Sequence, residues 1–103
     1  MDLPAATAAL SALAHPDRLR AFRLIAAGDP LPSGRVAERL DMPPTRASFH
    51  LTTLERAGLL SAARHGREVR YAVVPAAMRA LMAFLAEDCC GGRPDLCLPK
   101  DAR

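Results

Sequence analysis

The chain has 103 residues, half of them apolar, and a formal charge of +3. That length makes one domain, small enough for a partner chain to complete its core, and no apolar run approaches the ~20 residues of a membrane span. "MDLPAATAAL" lacks the basic start and unbroken apolar block of an export signal, so the chain is expected to be soluble and cytoplasmic, with Cys89, Cys90 and Cys97 as free thiols in a reducing compartment.

The elements follow with sharp punctuation. Leu3, Ala6, Leu10 and Leu13 recur at helical spacing. "HPDRLRAFRLIAAG" restarts the pattern: Pro16 suits a first turn, Leu19, Phe22 and Ile25 share one face, and Gly28 stops the run. Ser33 is a candidate N-cap for a short third helix bearing Val36, Ala37 and Leu40. "DMPP" then breaks the chain before a fourth helix, with Ala47, Leu51 and Leu54 facing inward and Gly58 closing it. Beyond Gly58 the period falls to two. Leu60 to Arg64 and Arg67 to Val74 flank His65-Gly66, a two-residue hairpin connection, and Val69, Tyr71 and Val73 alternate with Glu68, Arg70 and Ala72. Pro75 opens a last helix with Met78, Leu81, Met82 and Leu85 on one stripe, running into Glu87, Asp88 and the cysteines. The expected division is a body over residues 1–88 and a cysteine-containing tail over 89–103.

Helix, helix, short helix, turn, helix, hairpin, helix is the order of a winged helix-turn-helix, mainly α with a β-hairpin wing. In that arrangement the second helix of the pair lies in the DNA major groove and offers its early residues to base edges. The outward positions here are Thr45, Arg46, Ser48, Phe49 and Thr52. Arg46 has the reach for guanine O6/N7 or a phosphate, and Ser48 and Thr52 can hydrogen-bond to either. Phe49 is divided between contact with thymine methyls and packing against the protein. Arg64 and Arg67 flank the wing turn and suit backbone phosphate or the minor groove, supplying salt-sensitive affinity and little sequence information. Residues 35–70 hold seven arginines against four acids, which places the whole net charge in this stretch, although a solvated surface produces the same tally. No phosphate-binding loop, catalytic triad or redox Cys-x-x-Cys is visible, so neither an enzyme nor an enzymatic cofactor is expected.

"ALAHPDRLRAFRLI", "VAERLDMPPTRASFHLTTLERAGLL" and "RHGREVRY" together resemble the ArsR/SmtB family of bacterial metal-responsive transcription factors, across roughly residues 8 to 74. The resemblance implies a homodimer joined through the first and last helices, and repression of an operon until an inducer ion binds. His50 is similar to the family's histidine before the apolar Leu51, where local packing and a phosphate contact both remain open. A two-fold dimer implies double-stranded operator DNA with an inverted repeat, half-site centres ~10 base pairs or a multiple apart.

The family's commonest sensing motif, Leu-Cys-x-Cys at the third helix, falls on "LPSGR", where Pro32 and Gly34 replace the thiols. Its last-helix zinc site needs histidines, and none follows His65. Some relatives carry arsenite sites built from an adjacent cysteine pair and a later cysteine, which "CCGGRPDLC" resembles; the implied ligands are Cys89, Cys90 and Cys97 and the implied inducer As(III) or Sb(III). The chemistry agrees, because thiolates favour soft ions and zinc usually takes four ligands whereas arsenite takes three sulfurs. Cys89 and Cys90 point about 100° apart if helical, while Gly91-Gly92 permits a turn-back that returns Cys97. Alternatives stand beside this reading: Cys89 as core four residues after Leu85, a redox switch, cadmium or lead with Asp88 or Asp95 assisting, and a thiol-dependent enzyme. Redox reactivity is disfavoured by a helix C-terminus and adjacent carboxylates, which keep thiols protonated.

Overall fold

Prolines and short side chains set the helix starts. In the computed structural model, which describes residues 1–88, Asp2 caps helix α1 (Leu3–Leu13), its Oδ1 accepting the Ala5 N–H at 2.9 Å. Helix α2 (Pro16–Ala26) is capped by a histidine: Nδ1 of His15 accepts the Asp17 N–H at 3.1 Å. Helix α3 (Ser33–Leu40) begins without a side-chain cap. Ser33, expected as the N-cap, is the first helical residue, because the extended backbone of Pro32 already leads the chain into the helix. Helices α4 (Pro44–Arg56) and α5 (Pro75–Ala83) open on prolines, whose missing N–H costs nothing in a first turn. α5 passes directly into a π-helical turn, Phe84–Asp88.

Two helix ends fix how the binding pair is arranged. At the end of α3, Asp41 adopts the left-handed conformation (φ 53°) and the Met42 N–H returns to the Ala37 carbonyl at 3.0 Å. The chain therefore reverses within Asp41, Met42 and Pro43, and Met42 is buried in the turn. At the end of α4, Gly58 takes φ 84°, with Gly58 N–H bonded to Glu55 at 2.9 Å and Leu59 N–H to Leu54 at 3.1 Å. This paired closure needs a residue free of a Cβ penalty, and it turns Leu59 and Leu60 into the core.

The sheet has one strand more than the hairpin predicts. β1 (Leu31–Pro32), β2 (Leu60–His65) and β3 (Glu68–Val73) form an antiparallel sheet in the order β1-β3-β2, with Leu31 opposite Tyr71. A two-residue strand carries no readable period, and its proline is tolerated because β1 is an edge. His65 pairs with Glu68, so the tight connection is Gly66-Arg67, one residue later than the expected His65-Gly66. The register is set from the base, where Leu60 faces Val73 and Ala62 faces Tyr71. Gly66, at φ 65°, supplies the positive dihedral that a two-residue hairpin turn requires at its first position.

The core joins Ala6, Ala9 and Ala12 of α1 to Phe22 and Ile25 of α2, Val36 of α3, Leu51 and Leu54 of α4, and Leu59, Tyr71 and Leu81. Of the stripe Leu3, Ala6, Leu10 and Leu13, the structure buries Ala6 beside Ala9 and Ala12 and packs Leu13 half-buried against the core, but leaves Leu3 66% and Leu10 42% exposed. Small side chains let α1 lie close on α2 and α4, and that approach points Leu3 and Leu10 outward. Leu19 of α2, Met82 near the end of α5 and Leu85 in the π-helical turn are likewise exposed. A chain of this size that leaves large apolar side chains on its first and last helices has surface suited to a partner.

Candidate nucleic-acid interface

The inward face of α4 anchors its outward one. Ala47, Leu51 and Leu54 are fully buried, so at 100° per residue Thr45, Ser48, Phe49 and Thr52 turn to the opposite side, with Arg46 at its edge. Thr45, Arg46, Ser48 and Phe49 are exposed and Thr52 is half-buried. Thr53 donates to the Phe49 carbonyl at 3.0 Å and is occupied within the helix. Among the described residues, Arg46 and Arg67 make no side-chain hydrogen bond or ion pair and remain available to an anion.

Residues 61–70, the whole outer part of the hairpin, are exposed. Arg67 sits in the turn itself, and Arg64 lies on β2 opposite Val69, its guanidinium donating to the Gly66 carbonyl at 3.4 Å. Arg70 is paired with Glu68 at 3.0 Å. The wing therefore offers Arg64 and Arg67 near its tip while the charge of Arg70 is partly neutralised.

His50 does not share this surface. Placed among the DNA-facing positions by resemblance, it is only 4% exposed, because its direction on α4 falls beside Ala47 and Leu51. Its ring lies 4.7 Å from that of His15 and 5.6 Å from that of Phe49, centre to centre. Neither ring nitrogen has a hydrogen-bond partner in the protein; the nearest carboxylate oxygen, Oδ2 of Asp17, is 3.9 Å from Nε2. Burial first, then repulsion from His15 and Arg18, holds the imidazole below its ordinary 6.5, with Asp17 pulling the other way and Arg46 adding to the lowering. The ring is neutral at neutral pH.

His15, Asp17 and His50 offer donor atoms within 4.8 Å of one another, a cluster that the sequence hides because His50 lies 35 positions after His15. Two of its atoms are already engaged, while both nitrogens of His50 have no partner. Nδ1 of His15 caps α2, Oδ1 of Asp17 takes Arg20 at 3.2 Å, and the field of Arg18 and Arg46 opposes a cation. Arg18 is itself held against α1, donating to the Ala12 carbonyl at 2.6 Å. Arg18 thus bonds α2 to α1, while His50 of α4 meets the cluster by packing its ring on His15. The expected sulfur ligands Cys89, Cys90 and Cys97 lie outside the described residues.

A polar row on the second helix of a tight helical pair, flanked by an arginine-tipped hairpin, defines a winged helix-turn-helix protein of the DNA-binding class, the fold of a regulator and not of an enzyme. Residues 13–61 match a family model described as a helix-turn-helix domain. An ArsR-like transcriptional regulator from Rhodococcus sp. RHA1 has the same fold, with a TM-score of 0.78 over 85% of this chain and 82% of its own at 20% identity. The homodimeric winged helix-turn-helix DNA-binding domain of Mb0332 from Mycobacterium bovis, a possible ArsR-family transcriptional regulator, gives 0.69 at 27% identity, covering 86% and 81%. A possible transcriptional regulator for arsenical resistance gives 0.67 at 28% identity, covering 74% and 78%. No curated protein matches the chain. Among the described residues, no helix is long and apolar enough to cross a membrane.

Proposed function

We propose that this chain is a homodimeric transcriptional repressor of the ArsR type that leaves its operator when As(III) or Sb(III) binds the thiols of Cys89, Cys90 and Cys97. The observation that carries the DNA-binding half is the face of α4: Thr45, Arg46, Ser48, Phe49 and Thr52 lie opposite a fully buried apolar face, as base contacts must. Arg64 and Arg67 at the wing add phosphate contacts. The exposed leucines of α1 and the exposed Met82 and Leu85 favour a dimer closed through the first and last helices, and the M. bovis neighbour is a homodimer. Two α4 helices related by a two-fold axis read an inverted repeat.

The sensing half rests on composition and placement. Cys89 and Cys90 follow directly on the turn that carries Leu85, with Cys97 seven residues further on, and three sulfurs complete the coordination of arsenite. Metal binding displaces their protons even where carboxylates and a helix C-terminus disfavour thiolate. Closing residues 89–97 around the ion strains the end of the dimer-forming helix and alters the spacing of the two α4 helices. A coupling of ~1–3 kcal/mol, roughly 5- to 150-fold in affinity, is typical of such linkage. The similarity to a possible regulator for arsenical resistance favours the same inducer.

The test is fluorescence anisotropy of a promoter fragment with and without arsenite, for the wild type and for Cys97→Ser. The wild type is expected to bind and be released, and the variant to bind and stay. Release of Cys97→Ser at the same arsenite concentration contradicts the three-thiol site, and release only by cadmium, lead or peroxide reassigns the inducer.

A further inference from the structure

Phe49 is the only phenylalanine or tyrosine on the exposed surface of the described residues: Phe22 and Tyr71 are buried and Phe84 is half-buried. At 62% exposure it leaves most of a large apolar ring in water, among the polar outward residues Thr45, Arg46 and Ser48 of α4. Packing against the protein leaves most of this ring uncovered. Yet the ring is not loose. It leans on the buried His50 ring at 5.6 Å with the planes tilted by 60°, and its backbone carbonyl is held by Thr53 at 3.0 Å.

An apolar ring at that place has one complementary feature in a major groove. Base edges there present donors and acceptors, except for the C5 methyl of thymine. Thr45, Ser48 and Thr52 surround the ring with hydroxyls, and Arg46 and the wing arginines bring phosphates to either side, so the surface as a whole is matched to DNA. From this we infer that Phe49 is a specificity-determining residue that requires a 5-methylpyrimidine, thymine in ordinary DNA, at its contact in each half-site. The inference rests on the DNA-binding reading above and is independent of the inducer. Removing a methyl group from such a contact forfeits about 0.8 kcal/mol of apolar burial, or about four-fold in affinity, and about fifteen-fold when a dimer loses one in each half-site.

The experiment uses the full chain and a bound promoter fragment made with thymine or with deoxyuridine throughout, which differ only in that methyl. Binding of wild type, Phe49→Ala and Phe49→Leu is measured by anisotropy at fixed salt, with sedimentation to record the oligomeric state. The wild type is expected to lose about four- to fifteen-fold on uracil DNA. Phe49→Ala is expected to lose a similar factor on thymine DNA and less than two-fold more on uracil DNA, with Phe49→Leu between them. Equal wild-type affinity for both DNAs overturns the inference, as does a Phe49→Ala penalty that adds in full to the uracil penalty. A Phe49→Ala chain that changes oligomeric state assigns the ring to a protein contact and overturns it too. A wild type that binds no thymine DNA removes the DNA-binding reading together with the inference.

Discussion

Replacing His50 by leucine tests whether a functional-looking residue on α4 is a core residue. The ring is buried, both nitrogens lack a protein partner, and Asp17 stands at 3.9 Å, beyond hydrogen-bond reach. Leaving a buried polar group unpaired costs ~1–3 kcal/mol, and an apolar group of similar shape removes that cost. Some ring packing against His15 and Phe49 is lost in exchange, so the net expectation for His50→Leu at pH 7 is a gain of about 1 kcal/mol, or ~4–8 °C in Tm for a domain of this size. The pH dependence gives a second, independent signature. Because the folded pKa lies below 6.5, the unfolded chain binds the extra proton first, and stability falls as pH drops from 6.5 towards the folded value. One such group contributes at most ~1.4 kcal/mol per pH unit. His15, Asp17, Arg18 and Arg46 are the groups that act on it, and only Asp17 favours the charged ring. The assay is thermal and urea unfolding at fixed protein concentration between pH 5 and pH 8. Loss of more than about 1 kcal/mol in His50→Leu at pH 7, or an acid slope identical to wild type, refutes the reasoning and means the ring is hydrogen-bonded in solution.

Two further perturbations address the interface and the dimer. Arg67→Ala, at an exposed turn residue, is expected to reduce the slope of log K against log salt by ~0.9 per protomer and to weaken binding to all DNA sequences alike; a sequence-dependent loss in a panel of duplexes contradicts a phosphate role. Leu10→Glu places a charge on the exposed face of α1 and is expected to leave helix content unchanged while shifting the protein to monomers in analytical ultracentrifugation, with DNA binding lost in parallel. Retention of a dimer at micromolar concentration argues against α1 as the interface.

Several elements are legible from local chemistry. Prolines at helix starts, Gly58 at the end of α4 and the change of period after it mark the helix pair and the wing, because backbone dihedrals and missing donors act within a few residues. The inward row Ala47, Leu51 and Leu54 also follows from spacing alone, and with it the outward row proposed to meet DNA. The errors occur where another element decides. β1 exists only because Tyr71 and Arg70 of β3 stand beside Leu31 and Pro32. The turn moved to Gly66-Arg67 because pairing at the hairpin base sets the register.

The amino-acid order by itself determined the succession of helices and hairpin, the polar face of α4 and the gathering of thiols after α5, since each depends on neighbours in the chain. Only the tertiary structure decided which apolar residues of α1 are core and what His50 does. α1 buries its alanines and exposes Leu3 and Leu10 because helices must approach closely, a requirement that periodicity does not encode. His50 and Phe49 are adjacent in sequence, yet packing against α2 takes one ring out of water and leaves the other facing it.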